Sequence, residues 1–329
     1  MQRTLGAAVV TAAATIVSVP VQASPLSDIF TSFYAFGDSL TDDGKFGALL
    51  PPSFGGRFTN GPTYAEMIAE DFAVSENYAL GGATAGPVNT NAPYGTSNVP
   101  PFEDLNKYAT LGDQVDLFMS ELDLGAAGSN PLVSILMGSN DIFQNALDPL
   151  FDVTETVEHV ITAVYEIAAA GPFDDFIIPL TPGTDSPVYG ALRIAYNDYL
   201  LSRLADLEAD GLNIFVADLD AASDRIDADP EAYGITEEGY CAPSFFSLDL
   251  TRNCTFVGIG PSGPIFDLTL ANAYPLADPV HPTTPIHTEW AKEITATVQA
   301  DLSPVPLPAG GVLLLAGLGA LGIARRRRA

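Results

Sequence analysis

In the segment YAFGDSLTDDG at residues 34–44, a serine follows a short apolar run of the kind that forms a buried strand. A serine at the end of a strand can act as a nucleophile, but small polar residues also fill ordinary turns. Ser39 can act as a nucleophile only if the chain also supplies a base, an acid that orients the base, and donors for an oxyanion. The rest of the sequence therefore decides between the two interpretations.

The chain has three histidines that could serve as the base. His159 lies in a helical pattern and is predicted to be a helix-surface residue. His281 follows Asp278 by three positions in a proline-containing loop, so the carboxylate can accept the proton of one ring nitrogen while the other nitrogen faces a serine. His287 lies where the last helix is predicted to start, and a helix dipole disfavours a protonated imidazole there. His281 is the preferred base, and His287 is the alternative.

Two loops after predicted strands offer oxyanion donors. NYALGGATA (77–85) contains Gly81 and Gly82, where the backbone can approach a ligand closely. MGSNDIF (137–143) contains Asn140, whose amide can donate to a developing negative charge. Either glycine could be the backbone donor, and each loop taken alone is also ordinary loop composition.

Short apolar runs alternate with helical patterns along the chain. The predicted strands are 32–36, 72–79, 131–137, 175–180 and 212–218. The predicted helices are 62–71, 111–122, 153–170, 186–209 and 288–301, the last with Thr288 as its N-cap. This alternation predicts an α/β fold with a parallel sheet covered on both faces and a ligand site beyond the carboxyl ends of the strands. Residues 220–277, rich in Gly, Pro and Asp, are predicted to be an inserted loop region.

The blocks that carry this chemistry resemble, in order, those of the GDSL or SGNH hydrolase family. They are Gly-Asp-Ser-Leu at 37–40, Gly82 in NYALGGA, Gly-Ser-Asn-Asp at 138–141 and Asp-Pro-Val-His at 278–281. The segment 55–72 is further similar to the branch that contains plant GDSL lipases and bacterial outer-membrane esterases. The resemblance covers residues from about 32 to 300.

The resemblance implies a three-layer α/β/α sandwich with a five-stranded parallel sheet in a flavodoxin-like arrangement. It implies a serine esterase or lipase that hydrolyses carboxylic esters through an acyl-enzyme, with Ser39 as nucleophile, Asp278 as orienting acid and His281 as base. The oxyanion hole would consist of the Ser39 N–H, Gly82 and Asn140. No metal or organic cofactor is expected, and the substrate would be an ester of a lipid, an acylated small molecule or a glycan.

The sequence leaves two alternatives open. The same residues would serve an acyltransferase or a polysaccharide O-deacetylase. A non-catalytic cell-surface binding or matrix protein could also keep this fold.

The chain is strongly acidic, with a formal net charge of −28. Such a surface repels phosphate backbones, so nucleic acid is not an expected partner. The acidic segments 41–44 and 218–229 lack the spacing of a calcium-binding loop and are predicted to be solvated loops.

The N-terminus is predicted to be a secretory signal peptide at 1–23. It has a basic start, an Ala-rich apolar stretch and a small-residue cleavage site, VQA, at 21–23. A membrane anchor is the alternative. In an exported protein, Cys241 and Cys254 are predicted to form a disulfide.

The C-terminal segment 305–329 begins with VPLPA, continues with an apolar stretch at 309–324 and ends in four arginines and an alanine. This layout resembles the PEP-CTERM class of bacterial sorting tails, which a processing protease would recognise; a plain C-terminal anchor is the alternative. Both place the hydrolase domain, 24–304, in the periplasm, at the cell surface or outside the cell. Membrane contact is expected only through the terminal segments.

Overall fold

The computed structural model describes residues 25–95, 104–183 and 187–302. The predicted signal peptide (1–23) and sorting tail (305–329) lie outside these ranges. Within the described ranges, every helix is either too short or too polar to cross a bilayer.

Five parallel strands form the central sheet. They are β1 (Ser32–Gly37), β2 (Ser75–Asn77), β3 (Pro131–Leu136), β4 (Asp175–Ile177) and β5 (Asn213–Phe215). Their order in the sheet is β2-β1-β3-β4-β5, and all neighbours are parallel. The predicted strands are all present, although β2, β4 and β5 are shorter than expected. The strand order reverses between β1 and β3, which is where ligand sites form in open α/β sheets.

Eight α-helices surround this sheet in the described residues. They are α1 (Tyr64–Ala69), α2 (Leu111–Glu121), α3 (Leu124–Ala127), α4 (Ser139–Asn145), α5 (Val153–Ala169), α6 (Pro187–Ala209), α7 (Leu219–Ala228) and α8 (Thr284–Leu302). A separate antiparallel hairpin consists of β6 (Phe256–Gly260) and β7 (Gly263–Phe266).

The helices cover both faces of the sheet. Successive side chains of a strand point to opposite faces, so each face packs against its own set of helices. Tyr34 and Phe36 of β1 belong to the core cluster that contains α2, α5 and α6. Phe33 and Ala35 belong to the cluster that contains α1, α7 and α8. The fold is therefore the expected three-layer α/β/α sandwich with a five-stranded parallel sheet.

The prediction that the last helix starts at Thr288 was wrong. Helix α8 starts at Thr284, whose backbone N–H donates to Asn60 Oδ1 at 2.9 Å. Pro285 follows in the first turn, where a backbone N–H has no carbonyl partner within the helix, so the N–H that proline lacks is not needed there. His287 and Thr288 thus lie inside the helix, and the Thr288 hydroxyl donates to the Thr284 carbonyl at 2.9 Å.

The segment 220–277 is not a loop throughout. It begins within α7, which Asp218 caps by accepting the N–H of Ala221 at 3.1 Å. Leu219, Ala222 and Ile226 are buried in the cluster that contains α8. The start of the predicted insertion is therefore part of the helical layer, and the rest contains the β6–β7 hairpin between irregular stretches.

Candidate active site

Ser39 lies in the turn directly after β1 and is half-buried. Gln114 of α2, which is fully buried, fixes the end of that strand. The Gln114 side chain accepts the N–H of Gly37 at 3.0 Å and donates to the Gly37 carbonyl at 2.9 Å. The backbone that presents Ser39 is therefore held from the neighbouring helix layer.

Ser39, His281 and Asp278 form one continuous chain of contacts. Ser39 Oγ lies 2.8 Å from His281 Nε2, although 242 positions separate the two residues. His281 Nδ1 lies 2.8 Å from Asp278 Oδ1. The same carboxylate oxygen accepts the backbone N–H groups of Val280 at 2.9 Å and His281 at 2.8 Å. Asp278 thus fixes both the backbone and the ring of the histidine.

The charge of Asp278 determines the tautomer of His281. Burial works to raise the pKa of Asp278, but the charge and the hydrogen bonds of His281 and the Val280 N–H outweigh burial and lower it. An ionised carboxylate can only accept hydrogen bonds. The hydrogen of the neutral imidazole therefore lies on Nδ1, and the Nε2 lone pair faces the Ser39 hydroxyl.

The loop that carries Asp278 and His281 is held by the disulfide-bonded segment. Cys241 and Cys254 are joined, with an S–S distance of 2.01 Å. The Cys241 N–H donates to the Leu276 carbonyl, and the Ala242 N–H donates to the Ala277 carbonyl, each at 3.0 Å. Backbone pairing thus continues from the first cysteine to the residue before Asp278.

His287, the alternative base, has a different environment. Its side chain is buried, and its Nδ1 accepts the backbone N–H of Tyr64 at 3.3 Å. Burial, followed by the charge of His281, lowers the pKa of His287 to about 3. The ring is therefore neutral at physiological pH and binds the start of α1 instead of the serine.

The two glycines of the Gly81–Gly82 turn differ in whether their backbone N–H group is already hydrogen-bonded. The Gly81 N–H donates to Asp42 Oδ2 at 2.8 Å, so it is already occupied. Among the described residues, the N–H groups of Gly82 and Ser39 have no hydrogen-bond acceptor. Gly82 has a φ of +81°, a conformation that favours glycine. Between the two glycines, this geometry favours Gly82 as an oxyanion donor.

Asn140 lies in the first turn of α4, directly beyond β3. Its Nδ2 donates to the Ala83 carbonyl at 2.9 Å, which fixes the amide against the loop that contains Gly82. A carboxamide nitrogen has two hydrogens, so one remains for a ligand.

Asp38, which precedes the serine, was not singled out by the sequence. It is buried, its Oδ1 accepts the N–H of Leu40 at 3.1 Å, and its Oδ2 has no partner in the described part of the chain. Burial raises the pKa of Asp38 to about 7, against the Leu40 hydrogen bond and the charge of His281. In addition to Asp278, a carboxyl group whose charge changes near neutral pH therefore lies beside Ser39.

Aromatic rings surround the imidazole of His281. The rings of Phe58 and Phe245 lie 5.0 and 5.7 Å from it, measured between centroids. Phe246 lies 6.1 Å from Phe58 and is 67% exposed. Phe58 and Phe245 are buried, so a buried aromatic cluster adjoins the histidine, and its one exposed ring, Phe246, comes from the disulfide-bonded segment.

The family profile described as GDSL-like lipase/acylhydrolase matches residues 33–294. The chain belongs to this family. It is therefore a carboxylic ester hydrolase, and the matched region contains every residue of the site described above.

Three relatives with known names are distant from this chain in sequence. A phosphatidylcholine-sterol acyltransferase from Aeromonas hydrophila is 22% identical, in an alignment that covers 87% of this chain and 95% of that protein. An acetylxylan esterase from Geobacillus stearothermophilus is similar in structure, with 15% identity, a TM-score of 0.43, and coverage of 82% of this chain and 94% of that chain. A lipolytic G-D-S-L family protein from Veillonella parvula has 12% identity and a TM-score of 0.43 over 83% of this chain and 97% of that chain.

Proposed function

We propose that the protein is an exported serine esterase that hydrolyses carboxylic esters through an acyl-enzyme, with Ser39 as nucleophile. The observation that carries this proposal is the pair of 2.8 Å contacts from Ser39 through His281 to Asp278. A serine nucleophile needs a base within hydrogen-bond reach and a group that orients the base.

In the acylation step, His281 Nε2 removes the proton of the Ser39 hydroxyl as Oγ attacks the ester carbonyl. Asp278 stabilises the imidazolium that forms. The N–H groups of Ser39 and Gly82 and the amide of Asn140 bind the oxyanion. When the tetrahedral intermediate collapses, His281 protonates the leaving alcohol, and the acyl group remains on Ser39.

In the deacylation step, His281 removes a proton from water, and the hydroxide attacks the acyl carbonyl. The same donors bind the second oxyanion. Collapse releases the carboxylic acid and returns the proton to Ser39 Oγ. The cycle uses only groups of this chain and one water.

Export is part of the proposal. The bond between Cys241 and Cys254 supports an oxidising compartment, because structural disulfides persist mainly outside the cytoplasm. The signal-like segment 1–23 and the sorting-like tail 305–329 support a periplasmic, cell-surface or extracellular location, with transient anchoring by the tail.

Acyl transfer is the second candidate, and the relative named as an acyltransferase favours it. The acyl-enzyme would then react with an alcohol in place of water. Chromatography of the products formed in the presence of an acceptor alcohol distinguishes the two reactions, since only transfer gives a new ester.

Replacement of the nucleophile is the direct test. Ser39→Ala should lower kcat on p-nitrophenyl butyrate by about 10⁴-fold or more and leave the unfolding curve unchanged. His281→Ala should cause a similar loss. The matched control is Ser120→Ala, which changes an exposed helix residue and should retain activity. Activity retained by Ser39→Ala, or a fluorophosphonate that labels another residue, would refute the proposed nucleophile.

A further inference from the structure

We propose that two buried carboxylates, Asp42 and Asp141, hold the Gly81–Gly82 turn in the position from which Gly82 donates to the oxyanion. This inference rests on the proposed function of Ser39. We call the pair the carboxylate clamp. Its members do not touch the ester; they are positioning residues that act through the backbone of the turn.

Asp42 connects the loop of Ser39 with the loop of Gly82. Its side chain is fully buried, three positions after the serine. Its Oδ1 accepts the N–H groups of Gly44 at 2.9 Å and Lys45 at 3.0 Å, within its own loop. Its Oδ2 accepts the Gly81 N–H at 2.8 Å, in the other loop. The two oxygens therefore fix the two loops relative to each other.

Asp141 binds the other end of the same turn. It directly follows Asn140 and is buried. Its Oδ2 accepts the N–H of Ala85 at 2.8 Å, and its Oδ1 accepts the N–H of Gly86 at 2.9 Å. Carboxylates thus bind the residue before Gly82 and the residues three and four positions after it. Asp42 shares the loop of Ser39, and Asp141 shares the first turn of α4 with Asn140.

Only a carboxylate can make these contacts. It offers two acceptor oxygens, whereas a carboxamide of the same shape offers one acceptor and one donor. Burying a carboxylate is costly unless it is hydrogen-bonded, and burial raises the pKa of both residues, that of Asp141 to about 6. For Asp42, the nearby charge of Lys45 opposes this rise. Both buried carboxylates accept hydrogen bonds from backbone N–H groups next to the nucleophile and the oxyanion donors.

The function of the clamp follows from the demands of an oxyanion hole. A donor there stabilises the transition state only if it points at the charge that develops, and one donor contributes about 10²–10³-fold in rate. Gly82 lies between two anchored points and has a φ of +81°. Release of either anchor lets the Gly82 N–H turn away from the oxyanion. The transition state is then less stabilised, while ground-state binding of the ester is unaffected.

Asp42→Asn and Asp141→Asn test the clamp with almost no change in side-chain volume. In Asp42→Asn, the amide nitrogen must face either the Gly81 N–H or the N–H groups of Gly44 and Lys45. We expect kcat on p-nitrophenyl butyrate to fall by about 10- to 100-fold, with KM nearly unchanged. The affinity for a trifluoromethyl ketone, which forms an alkoxide adduct with an active-site serine, should fall by a similar factor.

Two neighbouring aspartates provide matched controls. Asp43→Asn changes the next carboxylate along, which contacts Lys45 Nζ at 2.6 Å and makes no hydrogen bond to the 81–86 turn. Asp148→Asn changes an exposed carboxylate just after α4, which accepts the Leu150 N–H. Both variants should keep kcat and the affinity for the ketone.

Urea unfolding curves identify which variants are folded, and either clamp variant alone is sufficient for the test. Wild-type kcat in a folded clamp variant, or a higher KM with unchanged kcat, would overturn the inference. If Ser39→Ala is inactive while the clamp variants have wild-type kcat, only the clamp is refuted. An active Ser39→Ala would instead refute the proposed function.

Discussion

At the scale of single residues, His281 and His287 have the same ring and lie six positions apart, but the fold gives them different chemistry. His281 is held between a carboxylate and a hydroxyl. His287 is buried in α8 and accepts one backbone N–H from Tyr64. Burial, followed by the charge of His281, lowers the pKa of the second ring to about 3.

This low pKa predicts a specific dependence of stability on pH. Above about pH 6.5, the ordinary pKa of the ring, His287 is neutral in both the folded and the unfolded state. Between about 6.5 and 3, only the unfolded state binds the proton, so the free energy of unfolding falls as the pH is lowered. Relative to His287→Asn, whose amide oxygen can accept the Tyr64 N–H, the wild type should lose about 1.4 kcal/mol per pH unit in that range.

Urea unfolding of both proteins at several pH values measures this difference. A difference in unfolding free energy that stays constant from pH 7 to pH 4 would contradict a buried neutral His287. Activity gives a second comparison, because His287→Asn should retain turnover at neutral pH while His281→Ala should lose it.

Individual site residues differed in how far the sequence could predict them. Ser39, Asp278 and His281 stand in short local patterns, and the structure brings these three side chains together. Asp42 was expected in a solvated loop, yet it is fully buried. Its partner, Gly81, is 39 positions away, so its burial depends on tertiary contacts that a local pattern does not contain.

At the scale of elements, β1 and β3 were predicted because each one is a short apolar run between turn residues, whereas the polar β2 (Ser75–Asn77) was predicted only through its apolar neighbours. The start of α8 was not, since its N–H at Thr284 is bound by Asn60, 224 positions earlier. For α7, a usable signal was present: Leu219, Ala222 and Ile226 have helical spacing. The density of aspartates in 218–229 obscured that apolar stripe.

The disulfide-bonded segment carries a prediction about substrate preference. Phe246 is 67% exposed beside Phe58, whose ring contacts His281, so a long acyl chain can cover it. Phe246→Ala should lower kcat/KM for p-nitrophenyl octanoate about tenfold relative to the acetate, because contact with one ring is worth about 1–2 kcal/mol.

The acetate serves as the internal reference in this measurement, since its acyl group is too short to need the ring. Ile259→Ala, which removes an exposed apolar side chain from β6, is the matched control and should leave the ratio unchanged. Equal changes on both esters in Phe246→Ala would mean that the ring does not contact the acyl chain.

At the scale of the whole molecule, the bond between Cys241 and Cys254 stabilises a region that reaches the loop of His281. The two cysteines are 13 positions apart, and a loop of that size contributes about 2–4 kcal/mol when it is closed. The double variant Cys241→Ser, Cys254→Ser should lose stability of that order in urea unfolding. Its activity should also decline at a lower temperature than that of the wild type.

Reductant provides the control for this prediction. Dithiothreitol should lower the unfolding midpoint of the wild type and have no effect on the double variant. A wild-type midpoint that does not respond to complete reduction, verified by thiol titration, would mean that the bond has no stabilising role.

The separation of 242 positions between the hydroxyl and the imidazole has a consequence for biosynthesis. The ribosome synthesises Ser39 long before His281, and helix α8, which follows the histidine, is made last of the described elements. On the proposed mechanism, a nascent or truncated chain has a hydroxyl with nothing to deprotonate it. Unfinished copies therefore do not hydrolyse esters inside the producing cell, and hydrolysis starts only once the two ends of the domain have met.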